Sequence, residues 1–193
     1  MRLRSILGAL LASCGVALLT TPPARALEDV EPTPVPETVF STMDGEETLL
    51  DDMIGEVIVL NFWATWCAPC KREMPSLARL DEELSGDEAI VLTIAVDRAP
   101  PIAVQKFLDE AGAAELLTWR DPDQASMRDF ALDGLPTTFI IDKDGLIVAR
   151  HLGLEVWDRP EIVKRVRELA RRDEDGENLP RVEAAMLTDD LRH

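Results

Sequence analysis

The sequence predicts a single α/β domain over residues 37–172, with a central mixed β-sheet and helices on both faces. Three observations lead there. Short apolar runs alternate with segments of helical period through the middle of the chain. Two further strands joined by a tight turn follow, which adds antiparallel pairing to a parallel β-α-β unit. The chain has 193 residues, 46% of them hydrophobic and 30% charged, as expected of one globular domain with appendages.

The elements follow in order. Residues 1–26 read as an export signal: Arg2 and Arg4 give a positive start, Ile6 to Leu19 an apolar stretch, and Ala24-Arg25-Ala26 a small-x-small cleavage site. That stretch is short for a membrane span, which needs about 20 apolar residues. An uncleaved anchor stays open as an alternative, as does lipidation at Cys14, because Leu11-Ala12-Ser13-Cys14 resembles a lipoprotein box. Residues 27–36, with Pro32, Pro34 and Pro36 alternating, read as an extended linker of about 30 Å. A small hairpin is expected over residues 39–50, turning at Met43-Asp44-Gly45.

The core unit comes next, with strands over residues 57–63 and 89–96 and helices over 71–84 and 101–111. Met74, Leu77, Leu80 and Leu84 give the first helix one apolar stripe, and Pro75 within it predicts a kink. A short strand near 116–119 and a helix over 124–132 follow. Strands over 137–141 and 146–150 flank the turn Asp142-Lys143-Asp144-Gly145. A closing helix spans 160–172, with Ile162, Val163, Val166, Leu169 and Ala170 on one face. The acidic segment 173–193 reads as a disordered tail.

The formal charge of −17 argues against nucleic acid and anionic membrane surfaces as partners. Acidity of this kind serves solubility, and a monomer is expected. Three cysteines are too few for a disulfide framework, and Cys14 lies within the signal. Cys67 and Cys70 form a Cys-x-x-Cys pair directly after the apolar run 57–63, where a helix begins. A thiol at a helix N-terminus meets unpaired backbone N–H groups and the positive end of the macrodipole, and both stabilise the thiolate nucleophile. A loop this short restrains the unfolded chain little, so a purely structural staple is a poor explanation. Zinc needs four ligands, and the only histidines are His151 and His193. Redox exchange at an exposed Cys67 is the reading that remains.

The block Asn61-Phe62-Trp63-Ala64-Thr65-Trp66-Cys67-Ala68-Pro69-Cys70-Lys71-Arg72-Glu73-Met74-Pro75 resembles the active-site segment of the thioredoxin superfamily, most closely its TlpA-like and ResA-like exported thiol-disulfide oxidoreductases. Gly134-Leu135-Pro136-Thr137-Thr138-Phe139-Ile140-Ile141-Asp142 is similar to the second signature of that family. The resemblance implies a thioredoxin-like fold, no cofactor, and roles for individual residues. Cys67 would attack a client disulfide and Cys70 would resolve the mixed disulfide. Glu73 shares a helix face with Cys70 and would take its proton from a partly buried position. Pro136 would follow a cis peptide bond, leaving backbone beside it to pair with a client, with Leu135 and Thr137 bordering that surface. Trp66 would add an apolar docking surface. Asn61 stands where cytoplasmic thioredoxin has a buried aspartate; it cannot take a proton and is read as a hydrogen-bonding residue of the central strand.

Ala68-Pro69 puts no cation between the thiols, which fits a reductant better than a strong oxidant. The expected protein is therefore a periplasmic disulfide reductase acting on disulfide-bearing clients and recharged by a membrane thiol reductase. Cytochrome c or copper-oxidase assembly is the client setting that the family implies. A copper-binding chaperone using Cys67, Cys70 and His151 is the rival, since Cu(I) favours thiolates. His151 is otherwise read as an exposed strand-end residue. A peroxiredoxin is disfavoured because no threonine lies three residues before Cys67.

Overall fold

A computed structural model describes residues 27–171. The expectations for residues 1–26 and 173–193 fall outside the described residues. Among the described residues eight strands form one sheet: β1 (Glu28–Pro34), β2 (Phe40–Ser41), β3 (Glu47–Thr48), β4 (Val57–Trp63), β5 (Ala89–Ala95), β6 (Leu117–Arg120), β7 (Thr137–Ile141) and β8 (Leu146–Leu152). Their order across the sheet is β1-β8-β7-β4-β5-β6-β2-β3. β4, β5 and β6 run parallel, and every other neighbouring pair is antiparallel. The helices are α1 (Ala68–Leu84), α2 (Pro101–Ala111), α3 (Ala125–Asp129) and α4 (Pro160–Ala170), with a 3-10 turn at Leu50–Met53.

β4 is the central strand, and all seven of its residues are buried. It reads as a continuous apolar run because both of its faces are covered. On one face Val57, Val59 and Trp63 join a core with Met74, Leu77, Leu80 and Leu84 of α1, Phe107 of α2 and Val163 and Val166 of α4. On the other face Ile58, Leu60 and Phe62 pack with Phe40, Trp119, Phe130 and Phe139 under α3, the hairpin and the 3-10 turn. The three long helices therefore share one face, and short elements close the second.

Two expectations change here. Glu28–Pro34 is not a free linker: it forms the edge strand β1, antiparallel to β8, so the ordered domain begins before residue 37. The helix over 71–84 begins earlier, at Ala68, with Pro69 in its first turn where a missing N–H costs nothing. It continues through Pro75, which lies inside the helix without ending it.

Candidate active site

Cys67 and Cys70 are joined by a disulfide, with their Cα atoms 5.3 Å apart. The strand β4 ends at Trp63, and the Cys67 N–H donates to the Ala64 carbonyl at 3.0 Å, closing a turn that delivers Cys67 to the helix. Cys67 is the N-cap of α1: its Sγ accepts the Cys70 N–H at 3.3 Å. Sulfur thus occupies the place where a capping oxygen normally satisfies an orphan N–H, at the positive end of the helix. Cys67 is only 4% exposed and Cys70 fully buried, so the exposed position expected for Cys67 does not hold in the disulfide state. Capping turns its sulfur onto the helix end and away from solvent. Trp66 beside it is 70% exposed.

Glu73 lies one turn beyond Cys70 on the same helix and is wholly buried. The Asn61 side-chain amide donates to Glu73 Oε1 at 2.7 Å. The Glu155 N–H and the Trp157 indole N–H each donate to Oε2 at 3.3 Å. Burial pushes this carboxyl up from 4.5 to about 7. The three donors oppose that shift by favouring the anion, and the Glu155 carboxylate adds to it by repulsion. The Arg159 guanidinium holds the Glu155 carboxylate at 2.7 Å. Ser76 ties the same loop down, accepting the Trp157 backbone N–H at 3.1 Å. A solvated surface acid is therefore the wrong description of Glu73.

Asn61 also donates to Thr138 Oγ1 at 2.8 Å. Strand register sets His151, Thr138, Asn61, Thr93 and Thr118 in one row across β8, β7, β4, β5 and β6. The row underlies α1, so the reading of Asn61 as a hydrogen-bonding residue of the central strand holds, and Glu73 is its partner.

The Leu135–Pro136 peptide bond is cis, as the resemblance implies. The Pro136 carbonyl accepts the Gly153 N–H at 2.9 Å. Leu135 is half-buried, whereas Thr137 is fully buried with its hydroxyl donating to the Gly134 carbonyl at 2.7 Å. The Thr137 side chain is therefore enclosed within the fold and borders no outer surface.

His151 departs most from its expectation. It is 3% exposed, lies inside β8 and meets Trp157 edge-on at 5.5 Å. β8 runs to Leu152, past the strand end that the sequence suggests, and His151 takes one of its buried positions. Among the described residues no three His, Cys, Asp or Glu side chains gather as a metal site in the disulfide state. Sequence reasoning missed Glu155 and Trp157. The one signal was a tryptophan in the irregular stretch before α4.

A disulfide capping a helix beside a buried, elevated carboxyl, on a sheet of this order, defines a thiol-disulfide exchange protein of thioredoxin-like fold. The chain belongs to the redoxin family, whose model matches residues 31–166. It is 33% identical over 141 residues to the thiol-disulfide oxidoreductase ResA of Geobacillus kaustophilus, covering 73% of this chain and 80% of that one. To ResA of Bacillus thuringiensis it is 31% identical over 126 residues, 65% of this chain and 72% of the relative. Among solved structures it is similar to a putative thiol:disulfide interchange protein DsbE from Chlorobium tepidum, with 26% identity and a TM-score of 0.64 across 75% of this chain and 99% of the other. The activity of the chain is disulfide redox exchange, and its relatives are ResA-like and DsbE-like oxidoreductases.

Proposed function

We propose that the chain works as a reductase of client disulfides outside the cytoplasm, in the periplasm, after export directed by residues 1–26. The observation that carries this reading is Glu73, a buried carboxyl near neutrality within one turn of Cys70. The Cys67 thiolate attacks one client sulfur, the client S–S bond breaks, and a client thiolate leaves. Cys70 then loses its proton to Glu73 and attacks Cys67 Sγ, expelling the second client thiolate. Two electrons have passed to the client, and Cys67–Cys70 is a disulfide. A membrane thiol reductase returns the electrons, and Glu73 hands its proton back to Cys70 as the dithiol reforms. Trp66 and Leu135 border the attacked sulfur and contact the client.

The surroundings of Cys67 support reduction rather than oxidation. The hydrogen bond on its sulfur comes from a backbone N–H, and the residues between the thiols are Ala68 and Pro69. A strong oxidant needs extra stabilisation of its thiolate, and neither residue supplies a charge. Clients of the cytochrome c or copper-oxidase assembly type are what the family resemblance implies. The deciding measurement is the reduction potential of the Cys67–Cys70 couple. A value near thioredoxin's, about −270 mV, is expected; one near about −120 mV, as in DsbA, would make the chain an oxidant and sink the reading.

A further inference from the structure

We propose that Asp97 is a positioning residue for exchange with protein disulfides: through Thr65 it fixes the turn that holds Trp66 out towards the client. The proposal rests on the exchange reading above and deepens it.

The parallel strands β4 and β5 end side by side, with Trp63 opposite Ala95 and the Val96 N–H donating to the Trp63 carbonyl at 2.8 Å. Both chains leave the sheet there, one towards Cys67 and the other towards α2. Asp97 joins the two. Its Oδ2 accepts the Thr65 N–H at 2.7 Å and the Thr65 hydroxyl at 2.6 Å. Its Oδ1 accepts the Ala99 N–H at 3.1 Å. Asp97 is 6% exposed, and a carboxylate so enclosed needs donors of this kind to offset its lost hydration.

Thr65 and Trp66 are the two central residues of the turn that the Cys67 N–H closes on the Ala64 carbonyl. The clamp therefore grips one corner of the turn, and Trp66 is the other. Cys67 has holds of its own. It caps α1, its carbonyl accepts the Lys71 N–H at 3.2 Å, and Pro69 fixes the chain beyond it. The Trp66 side chain has none: it makes no hydrogen bond or ring contact among the described residues, and it stands 70% exposed. Its direction is set by its backbone, and its backbone is set by Thr65. Loss of Asp97 should therefore misplace Trp66 before it disturbs the sulfur. A docking residue matters to a protein disulfide, which must lay a chain across the site, far more than to a small disulfide.

The test compares single-turnover rates of the pre-reduced full chain with insulin and with oxidised glutathione. In Asp97→Ala the insulin-to-glutathione rate ratio should fall by about tenfold to a hundredfold, the upper figure being what a misplacement of about 1 Å can cost. Thr65→Val, which keeps the backbone bond and loses the hydroxyl one, should lower the ratio less. Asp97→Asn retains an acceptor oxygen and should restore part of it; with Thr65→Val it decides the matter should Asp97→Ala not fold. Trp66→Ala combined with Thr65→Val should lose no more on insulin than Trp66→Ala alone, since both act through the same ring. A wild-type ratio in Asp97→Asn and Thr65→Val, or losses that multiply in the double variant, would overturn the proposal. A wild-type chain that reduces neither probe overturns the exchange reading itself.

Discussion

Glu73 accepts bonds from Asn61, Trp157 and the Glu155 backbone while buried deeply enough to titrate at about 7. As the base for Cys70 it must be ionised, so wild-type exchange should rise with pH through about 7. Glu73→Gln should remove that inflection and leave a profile set by the thiols, whose ordinary value is about 8.5. An unchanged pH–rate curve would leave the carboxyl without a part in resolution. Stability follows the same proton with a defined sign. Between 4.5, the ordinary carboxyl value, and about 7 the folded chain holds a proton that the unfolded chain has released. Stability from this group is therefore present at acid pH and lost as pH rises to about 7. Denaturation of wild type and Glu73→Gln should show the variant gaining on wild type across that window, by up to about 3 kcal/mol. The candidacy of Glu73 was legible from its spacing to Cys70. Its full burial was not, because the stripe through Met74, Leu77 and Leu80 leaves open whether the neighbouring acid is capped by a loop arriving from far along the chain. His151 was misread for a related reason: Ala149 and His151 share an inward phase on β8, but a histidine in that phase also suits a solvated strand end.

The segment between β8 and α4 does for Glu73 what α1 alone does not. Its residues alternate, Leu154 and Val156 exposed, Glu155 and Trp157 buried, so one short extended stretch sends two groups inward to the carboxyl. Gly153 hangs the same stretch on the Pro136 carbonyl, linking the proline segment to the proton acceptor. Trp157→Phe keeps a ring in the core and removes the indole donor. Because that hydrogen bond favours the carboxylate, its loss should move the inflection in the pH–rate profile of exchange to higher pH, by about one unit. A shift the other way, or none, would place the indole outside the electrostatics of the site. Regular elements were read closely from periodicity: α2 and β7 have the bounds that the apolar pattern indicates. This irregular stretch has no period to read, and its function lies in which backbone and ring N–H groups meet one buried acid.

The whole sheet is asymmetric at its edges, and the N-terminal strand explains how one of them is protected. β1 pairs with β8 in a register that shifts between Asp29 and Thr33, around Pro32. Its outer edge carries Glu28, Asp29, Glu31, Pro32 and Pro34, residues that discourage a further strand from adding. β8 alone would offer the opposite: seven residues with every second one buried and a free row of backbone groups. The alternating prolines made this segment read as a linker, since they signal extended backbone equally well in solution and on an edge. The partner strand, at the far end of the domain, is invisible to any local pattern. Arg165 of α4 pairs with Asp29, while Leu27 and Val30 pack against the two cores, so β1 is held from both faces. A chain shortened to begin at Val35 should therefore melt at lower temperature and self-associate through β8. Thermal unfolding and sedimentation against concentration would measure this. If the shortened chain stays monomeric with an unaltered melting temperature, β1 is a bystander and β8 needs no cover. If it associates while the oxidised-glutathione rate per chain persists, the edge strand guards the fold and the α1 N-terminus works independently of it. That outcome is expected, because Cys67 and Cys70 follow β4, which β8 and β7 separate from β1, so the loss of β1 removes no hydrogen bond of the site.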